Sequence, residues 1–320
     1  MTAKISPRIT LENRTPLQDV IPLSTPYLVF LDPSDICNAH CQWCPTGSGE
    51  IKKYRKQQLM DFDLYRKIID DLAAMPEQIK TLRLYCWGEP LMNLRFPEMV
   101  RYAKNTGRFG QVDTTSNGML LNPRLSQEII TAGLDKIFIS VPTEYTREYL
   151  GEIAYFHGFA YGAGTCNVHV KIIGDNLSET QKQRFYEDFE DFSDSINIEY
   201  LSPCWPGYES GKVGEKGIYG QELPAKVPNT CPYIFYSMAI NSDGKVSLCF
   251  LDWKKEMVMG DLKRESFKDI WNGWWVKNIR RFQLSGLRAC LCPCKDCQQL
   301  RYGMADNIDD YAEEILKRLE

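Results

Sequence analysis

From Tyr27 onward, short apolar runs alternate with stretches whose apolar residues recur every three or four positions. That alternation is the pattern of strand–helix units. It predicts strands at 27–33, 80–86, 110–115, 136–141, 167–173 and 196–201, with helices near 61–74, 95–105, 123–133, 144–153 and 178–192. In the first helix Phe62, Tyr65, Ile68, Ile69 and Leu72 fall on one face, Asp61 suits the N-cap, and Pro76 marks a stop. Phe185, Phe189 and Phe192 form a similar stripe, which reads as core packing. The fold class is α/β.

The pattern differs at both ends. Residues 1–26, with prolines at 7, 16, 22 and 26, read as an irregular arm before the main domain at 27–202. At 203–228, five glycines and four prolines mark a linker or loop. A small α+β unit at 229–302 begins with a hairpin: apolar runs at 233–240 and 246–251 flank a turn ending in Asp243 and Gly244. Within 303–320, the tail from Asp306 reads as a helix carrying Ile308, Tyr311, Ile315 and Leu319 on one side.

Composition is ordinary, with 43% hydrophobic and 25% charged residues. A net charge of −4 advertises no basic surface for nucleic acid or an anionic membrane. No apolar run reaches spanning length, and the first residues lack the apolar core of a signal peptide. Cysteine content is the exception. Twelve cysteines in a chain of this size fit metal binding in a reducing cytoplasm better than a disulfide scaffold.

Cys37, Cys41 and Cys44 stand in a C-x3-C-x2-C spacing just after the first strand. Soft thiolates select zinc or iron–sulfur centres, and three on one loop can hold three irons of a [4Fe–4S] cube, leaving the fourth open. On residue types alone, half a zinc site or buried core thiols remain open. His40 could add a fourth ligand but reads as a polar loop residue. The spacing and its place after a strand resemble the radical S-adenosylmethionine (radical SAM) superfamily, whose fold is a partial (β/α)6 TIM-like barrel. In that family the open iron chelates SAM, which is cleaved reductively to a 5′-deoxyadenosyl radical.

The resemblance extends to the SAM site. Trp43 stands where family loops place an aromatic residue beside the cluster and adenine, although packing of the loop explains it equally. Gly88, Glu89 and Pro90 resemble the end of the Gly-Gly-Glu-Pro motif that binds the SAM amino group, with Trp87 in place of the first glycine. Ser116 and Asn117 after the third strand offer groups for ribose or carboxylate; their other reading is a capped turn. Ser140 and Lys171 are further candidates, Lys171 as a partner for the SAM carboxylate, while Pro142 and Thr143 replace the family's Asp-Gly.

Cys231 and Cys249, followed by the run Cys290, Cys292, Cys294 and Cys297, resemble the SPASM/Twitch appendage that carries auxiliary [4Fe–4S] clusters. The shorter Twitch form implies Cys231, Cys249, Cys294 and Cys297 as ligands, closing every iron; a four-cysteine zinc site is the competing reading. The layout resembles radical SAM enzymes of aminoglycoside and polysaccharide sugar pathways. It implies two clusters, SAM, an electron donor such as flavodoxin or ferredoxin, and a sugar- or aminocyclitol-like substrate. The implied reaction is oxidation of an alcohol to a ketone, the auxiliary cluster accepting an electron. Epimerisation is the alternative, with Cys204, Cys290 or Cys292 as hydrogen donor; Cys86 and Cys166 read as core. Peptide maturation is a third reading, and a non-catalytic zinc protein belongs to another class.

Overall fold

The computed structural model describes residues 2–10, 12, 14–211 and 214–319. The outermost positions of the arm and of the C-terminal helix, Met1 and Glu320, lie outside that set, as do Leu11, Asn13, Lys212 and Val213. Ten strands form one sheet: β1 (Lys4–Ile5), β2 (Leu28–Leu31), β3 (Ile79–Arg83), β4 (Phe109–Ser116), β5 (Lys136–Ser140), β6 (Asn167–Ile173), β7 (Ser195–Glu199), β8 (Ser237–Ile240), β9 (Lys245–Ser247) and β10 (Val258–Asp261). The helices are α1 (Leu17–Val20), α2 (Phe62–Ala73), α3 (Phe96–Asn105), α4 (Pro123–Thr131), α5 (Arg147–Ala163), α6 (Glu179–Phe189), α7 (Tyr233–Tyr236), α8 (Phe267–Trp271), α9 (Trp274–Leu284), α10 (Gln299–Tyr302) and α11 (Ala312–Arg318).

Strand order is β1-β7-β6-β5-β4-β3-β2-β8-β9-β10, and every pair from β1 to β8 is parallel. Strands β2 to β7 with α2 to α6 between them are the expected six-strand partial barrel. Their outward residues, among them Val112, Ile137, Val170 and Ile196, are fully buried against Ile68, Met99, Ile129, Phe156 and Phe185 of the helices. Helix starts follow local chemistry. Asp61 caps α2 by accepting from the N–H groups of Asp63 and Leu64, and Ser178 with Gln181 forms a capping box at α6.

Several elements differ from the sequence reading. The arm is not irregular throughout: β1 pairs in parallel with β7, and α1 forms a single turn. Helix α5 runs ten residues beyond its predicted end at 153. Gly151, Gly158 and Gly162 weaken its propensity, and burial of Ile153, Phe156 and Ala160 holds it instead. Tyr233–Tyr236 forms a helical turn, so the hairpin begins at Ser237, and its second strand stops at Ser247 before a loop carrying Cys249. Strand β8 lies parallel to β2, so the hairpin extends the barrel sheet. In the C-terminal helix Ile308, Ile315 and Leu319 are buried, but Tyr311 faces outward.

Candidate functional site

The loop after β2 folds tightly on itself. Cys44 N–H donates to the Cys41 carbonyl (3.1 Å), Ser48 N–H to that of Cys44 (2.9 Å), and Ala39 N–H to Cys37 Sγ (3.4 Å). A Cβ on Gly47 would stand 2.5 Å from the Cys41 nitrogen, so only glycine lets the loop close. The three thiolates lie close enough to repel one another, and burial raises all three thiols, Cys37 to about 11. Such sulfurs keep their protons unless a cation replaces them, and N–H donors to sulfur suit cluster ligands. His40 is exposed and Trp43 half-buried on this loop.

The turn after β3 packs directly on that segment. Glu89 N–H donates to the Ile36 carbonyl (2.9 Å), and a Cβ on Gly88 would meet Ser34 O at under 2.5 Å. Glu89 is buried, and its carboxylate is already engaged. Oε1 accepts from Ser116 Oγ (2.7 Å) and Leu91 N–H (3.1 Å), and Oε2 from Asn117 N–H (2.8 Å). Burial raises its pKa against those bonds. Glu89 therefore clamps the β3 and β4 turns together, leaving backbone carbonyls of the turn as acceptors for an amine. Asn117 Nδ2 reaches Asn38 Oδ1 (2.8 Å) and lies 3.9 Å from Cys37 Sγ, joining the two predicted parts of the site. Trp87, the residue in the glycine position, turns its ring away: Nε1 donates to Asn241 Oδ1 (3.1 Å) beneath Arg55.

The second sulfur group gathers Cys231, Cys249, Cys294 and Cys297. Thiolates in this set repel one another across the group, and burial raises each thiol. Leu251 N–H donates to Cys249 Sγ (3.4 Å), Gln299 N–H to Cys297 Sγ (3.5 Å), and Gln283 Nε2 to Cys294 Sγ (3.5 Å). Gln283 also accepts from Cys231 N–H (2.9 Å), so one fully buried amide orients two candidate ligands. Cys290 and Cys292 are exposed on the adjoining turn and do not line the cavity described next. Among the described residues, no three His, Cys, Asp or Glu side chains close around one point as a single metal ion requires.

The barrel strands wall a cavity of about 710 Å³. Its wall is the inward face of the strands, with Phe30, Arg83, Thr115 and Lys171, closed by Arg8 of the arm and Tyr219 of the linker. Cys204 lines it and is close enough to feel the charges of both Cys44 and Cys297. Cys86, read as core, lines it too, with its Sγ 3.6 Å from the Phe250 carbonyl. Cys166 is buried in the core as expected. Lys171 Nζ bonds Glu199 Oε2 at 2.6 Å, and Arg8 Nε lies 2.8 Å from Glu199 Oε1. Lys171 therefore shares Glu199 with Arg8. Ser140, half-buried at the end of β5, does not line the cavity. Sequence reasoning passed over Arg8, Glu199, Tyr219, Gln283 and Gly47. A signal existed for the strands: Gln111 and Asp113, then His169 and Lys171, then Asn197 and Glu199 alternate with apolar residues, the mark of a polar lumen.

An open α/β barrel with a cysteine loop at one strand end and a second sulfur group beyond it defines a class of cluster-bearing protein. The radical SAM superfamily model matches residues 31–154, and the iron–sulfur cluster-binding SPASM domain matches 231–298. The chain is a radical SAM protein with a C-terminal SPASM-type iron–sulfur domain. It is 32% identical over 128 residues to the tungsten-containing aldehyde ferredoxin oxidoreductase cofactor-modifying protein of Pyrococcus furiosus, covering 39% of this chain and 34% of that protein. It therefore spans about a third of the length of that relative. It is 19% identical to the S-adenosyl-L-methionine-dependent 2-deoxy-scyllo-inosamine dehydrogenase of Niallia circulans, over 88% of this chain and 96% of that one. The crystal structure of BtrN in complex with AdoMet and 2-DOIA superposes with a TM-score of 0.56 at 19% identity, covering 85% and 92% of the two chains. No helix among the described residues is long and apolar enough to cross a membrane.

Proposed function

We propose that the chain is a radical SAM oxidoreductase that oxidises an alcohol of a small, polyhydroxylated substrate held in the barrel cavity. The observation that carries this is the position of the cavity. Its wall includes Cys204, and it includes Leu251 and Gln299, whose N–H groups donate to sulfurs of the second group. Similarity over most of its length to an aminocyclitol dehydrogenase supports the reaction class.

Cys37, Cys41 and Cys44 would hold the SAM-binding cluster, and Cys231, Cys249, Cys294 and Cys297 the second. When bound, these groups supply a 5′-deoxyadenosyl radical for hydrogen abstraction and an acceptor for one electron. The chain's own part is placement. Glu89, Ser116 and Asn117 fix the turns around SAM, and the hydroxyls of Tyr85, Tyr219 and Thr115 orient a polar substrate away from water.

Anaerobic reconstitution tests the reading. The expected protein holds about eight irons, as two cubes require. On reduction it yields 5′-deoxyadenosine, and with a substrate one ketone per adenosyl group; Cys37→Ala abolishes cleavage. A colourless zinc protein, or cleavage unaffected by Cys37→Ala, overturns it.

One observation favours epimerisation as the second reading. Cys204 lines the cavity, and burial pushes its thiol up to about 12, so it keeps a transferable hydrogen. Solvent deuterium in a returned isomer, lost in Cys204→Ala, would support that reading; a ketone supports the first. An electron donor such as flavodoxin or ferredoxin and a cytoplasmic location belong to the same proposal.

A further inference from the structure

The chain as a whole is acidic, with a net charge of −4, yet its barrel cavity is lined by five cations and one carboxylate. The cations are Arg8, Arg14, Lys80, Arg83 and Lys171, and the carboxylate is Asp306. Three of the five are accounted for. Arg14 pairs with Asp306 (3.3 Å), and Arg83 is bidentate to Asp113 on the neighbouring strand (2.9 and 3.0 Å). Lys80 is exposed and sits on the Tyr27 ring at 3.6 Å. Arg8 and Lys171 remain, and they share a single carboxylate, Glu199.

One buried cation, Lys171, and one half-buried cation, Arg8, on a single carboxylate leave an excess positive charge in the cavity wall, which is costly where water is scarce. The surroundings supply no partner for it. His169 is neutral, since burial lowers its pKa to about 3, and Tyr85, Tyr219 and Thr115 offer only hydroxyls. Among the described residues Thr115 Oγ1 has no hydrogen-bond partner, and Arg8 Nε, though 2.8 Å from Glu199 Oε1, is not aligned to donate to it. Burial and Arg8 lower the pKa of Lys171, as expected of crowded cations. Parallel pairing of β1 with β7 carries Arg8 alongside Glu199 and within 3.5 Å of the Tyr85 hydroxyl.

We propose that the substrate carries an anionic group, a carboxylate or a phosphate, seated on Arg8 and Lys171. This rests on the reading of the cavity as the substrate site. The excess cation completes a charge-assisted contact only when the anion arrives, which gives selectivity by charge. An amine-bearing sugar would add a third cation and is disfavoured.

The test is calorimetric titration of the anaerobically purified, cluster-loaded full chain, with SAM present, and needs no turnover. Glucose 6-phosphate, glucuronate, glucose and glucosamine hold the ring constant while charge varies, and inorganic phosphate is a probe without the ring. We expect at least one anionic sugar to bind about tenfold or more tightly than glucose, with glucosamine weakest. The two anionic sugars separate phosphate from carboxylate. Arg8→Gln should collapse the preference to within about twofold while SAM affinity is unchanged, and Arg8→Lys should retain part of it. The proposal is overturned if none of the three anions binds at millimolar concentration, if glucosamine or glucose binds as tightly as both anionic sugars, or if folded Arg8→Gln keeps the preference. If Arg8→Gln fails to fold, the wild-type ranking and the Arg8→Lys ratio decide. Failure of SAM cleavage alone would count against the reaction class and leave this ranking measurable.

Discussion

Replacing Gly88 with alanine tests whether two backbone segments must touch for the SAM site to exist. A Cβ there would stand 2.5 Å from Ile36 O and 2.8 Å from Asp35 C, and closer still to Ser34 O. Ordinary contacts begin near ~3.5 Å, so the turn after β3 must move by roughly 1 Å. The obstacles are backbone atoms and cannot rotate aside. The move stretches the bond from Glu89 N–H to the Ile36 carbonyl, now 2.9 Å, worth about 1 kcal/mol net, and adds about 1–3 kcal/mol of overpacking. It also shifts Glu89 away from Ser116 and Asn117, which it clamps. The expected outcome is a loss of about 2–4 kcal/mol in denaturant unfolding and a SAM affinity weakened by tenfold or more. Gly158→Ala is the matched control. It lies inside α5 with no atom within 4 Å of the new carbon and should stabilise by about 0.5–1 kcal/mol. Unchanged unfolding and SAM binding in Gly88→Ala would refute the close-approach argument.

Two further outcomes can be checked. Asp32 is buried, its carboxylate accepts from the Trp87 N–H (3.3 Å), and burial raises its pKa to about 8 despite Arg55. Because its folded pKa exceeds an unfolded value of ~3.9, its contribution is present at low pH and lost as pH rises through about 8. Asp32→Asn should therefore melt progressively above the native protein from pH 6 toward 8 and hold that gap beyond it; a gap independent of pH refutes the assignment. Gln283→Leu removes the amide that orients Cys231 and Cys294 and leaves the Cys231 N–H unsatisfied, a cost of about 1–3 kcal/mol. Bound iron should fall from about eight toward four with SAM cleavage retained, and undiminished iron would refute the role.

The sequence by itself determined the barrel's strand–helix series, the first cysteine loop and the second cysteine set. Each is written locally: strands and helices in hydrophobic period, ligand loops in spacing, and caps in single residues such as Asp61 and Ser178. What only the tertiary structure decided depends on neighbours far apart in the chain. The full extent of α5 comes from packing of Ile153, Phe156 and Ala160 that outweighs its glycines. Glu89 reads as a ligand in its motif, but in the fold its oxygens meet Ser116 and Asn117. The irregular arm becomes a strand because β7 presents a free edge, and that pairing delivers Arg8 to Glu199, 191 residues away. Charge balance inside a cavity is a sum over such distant residues, so no local pattern can state it.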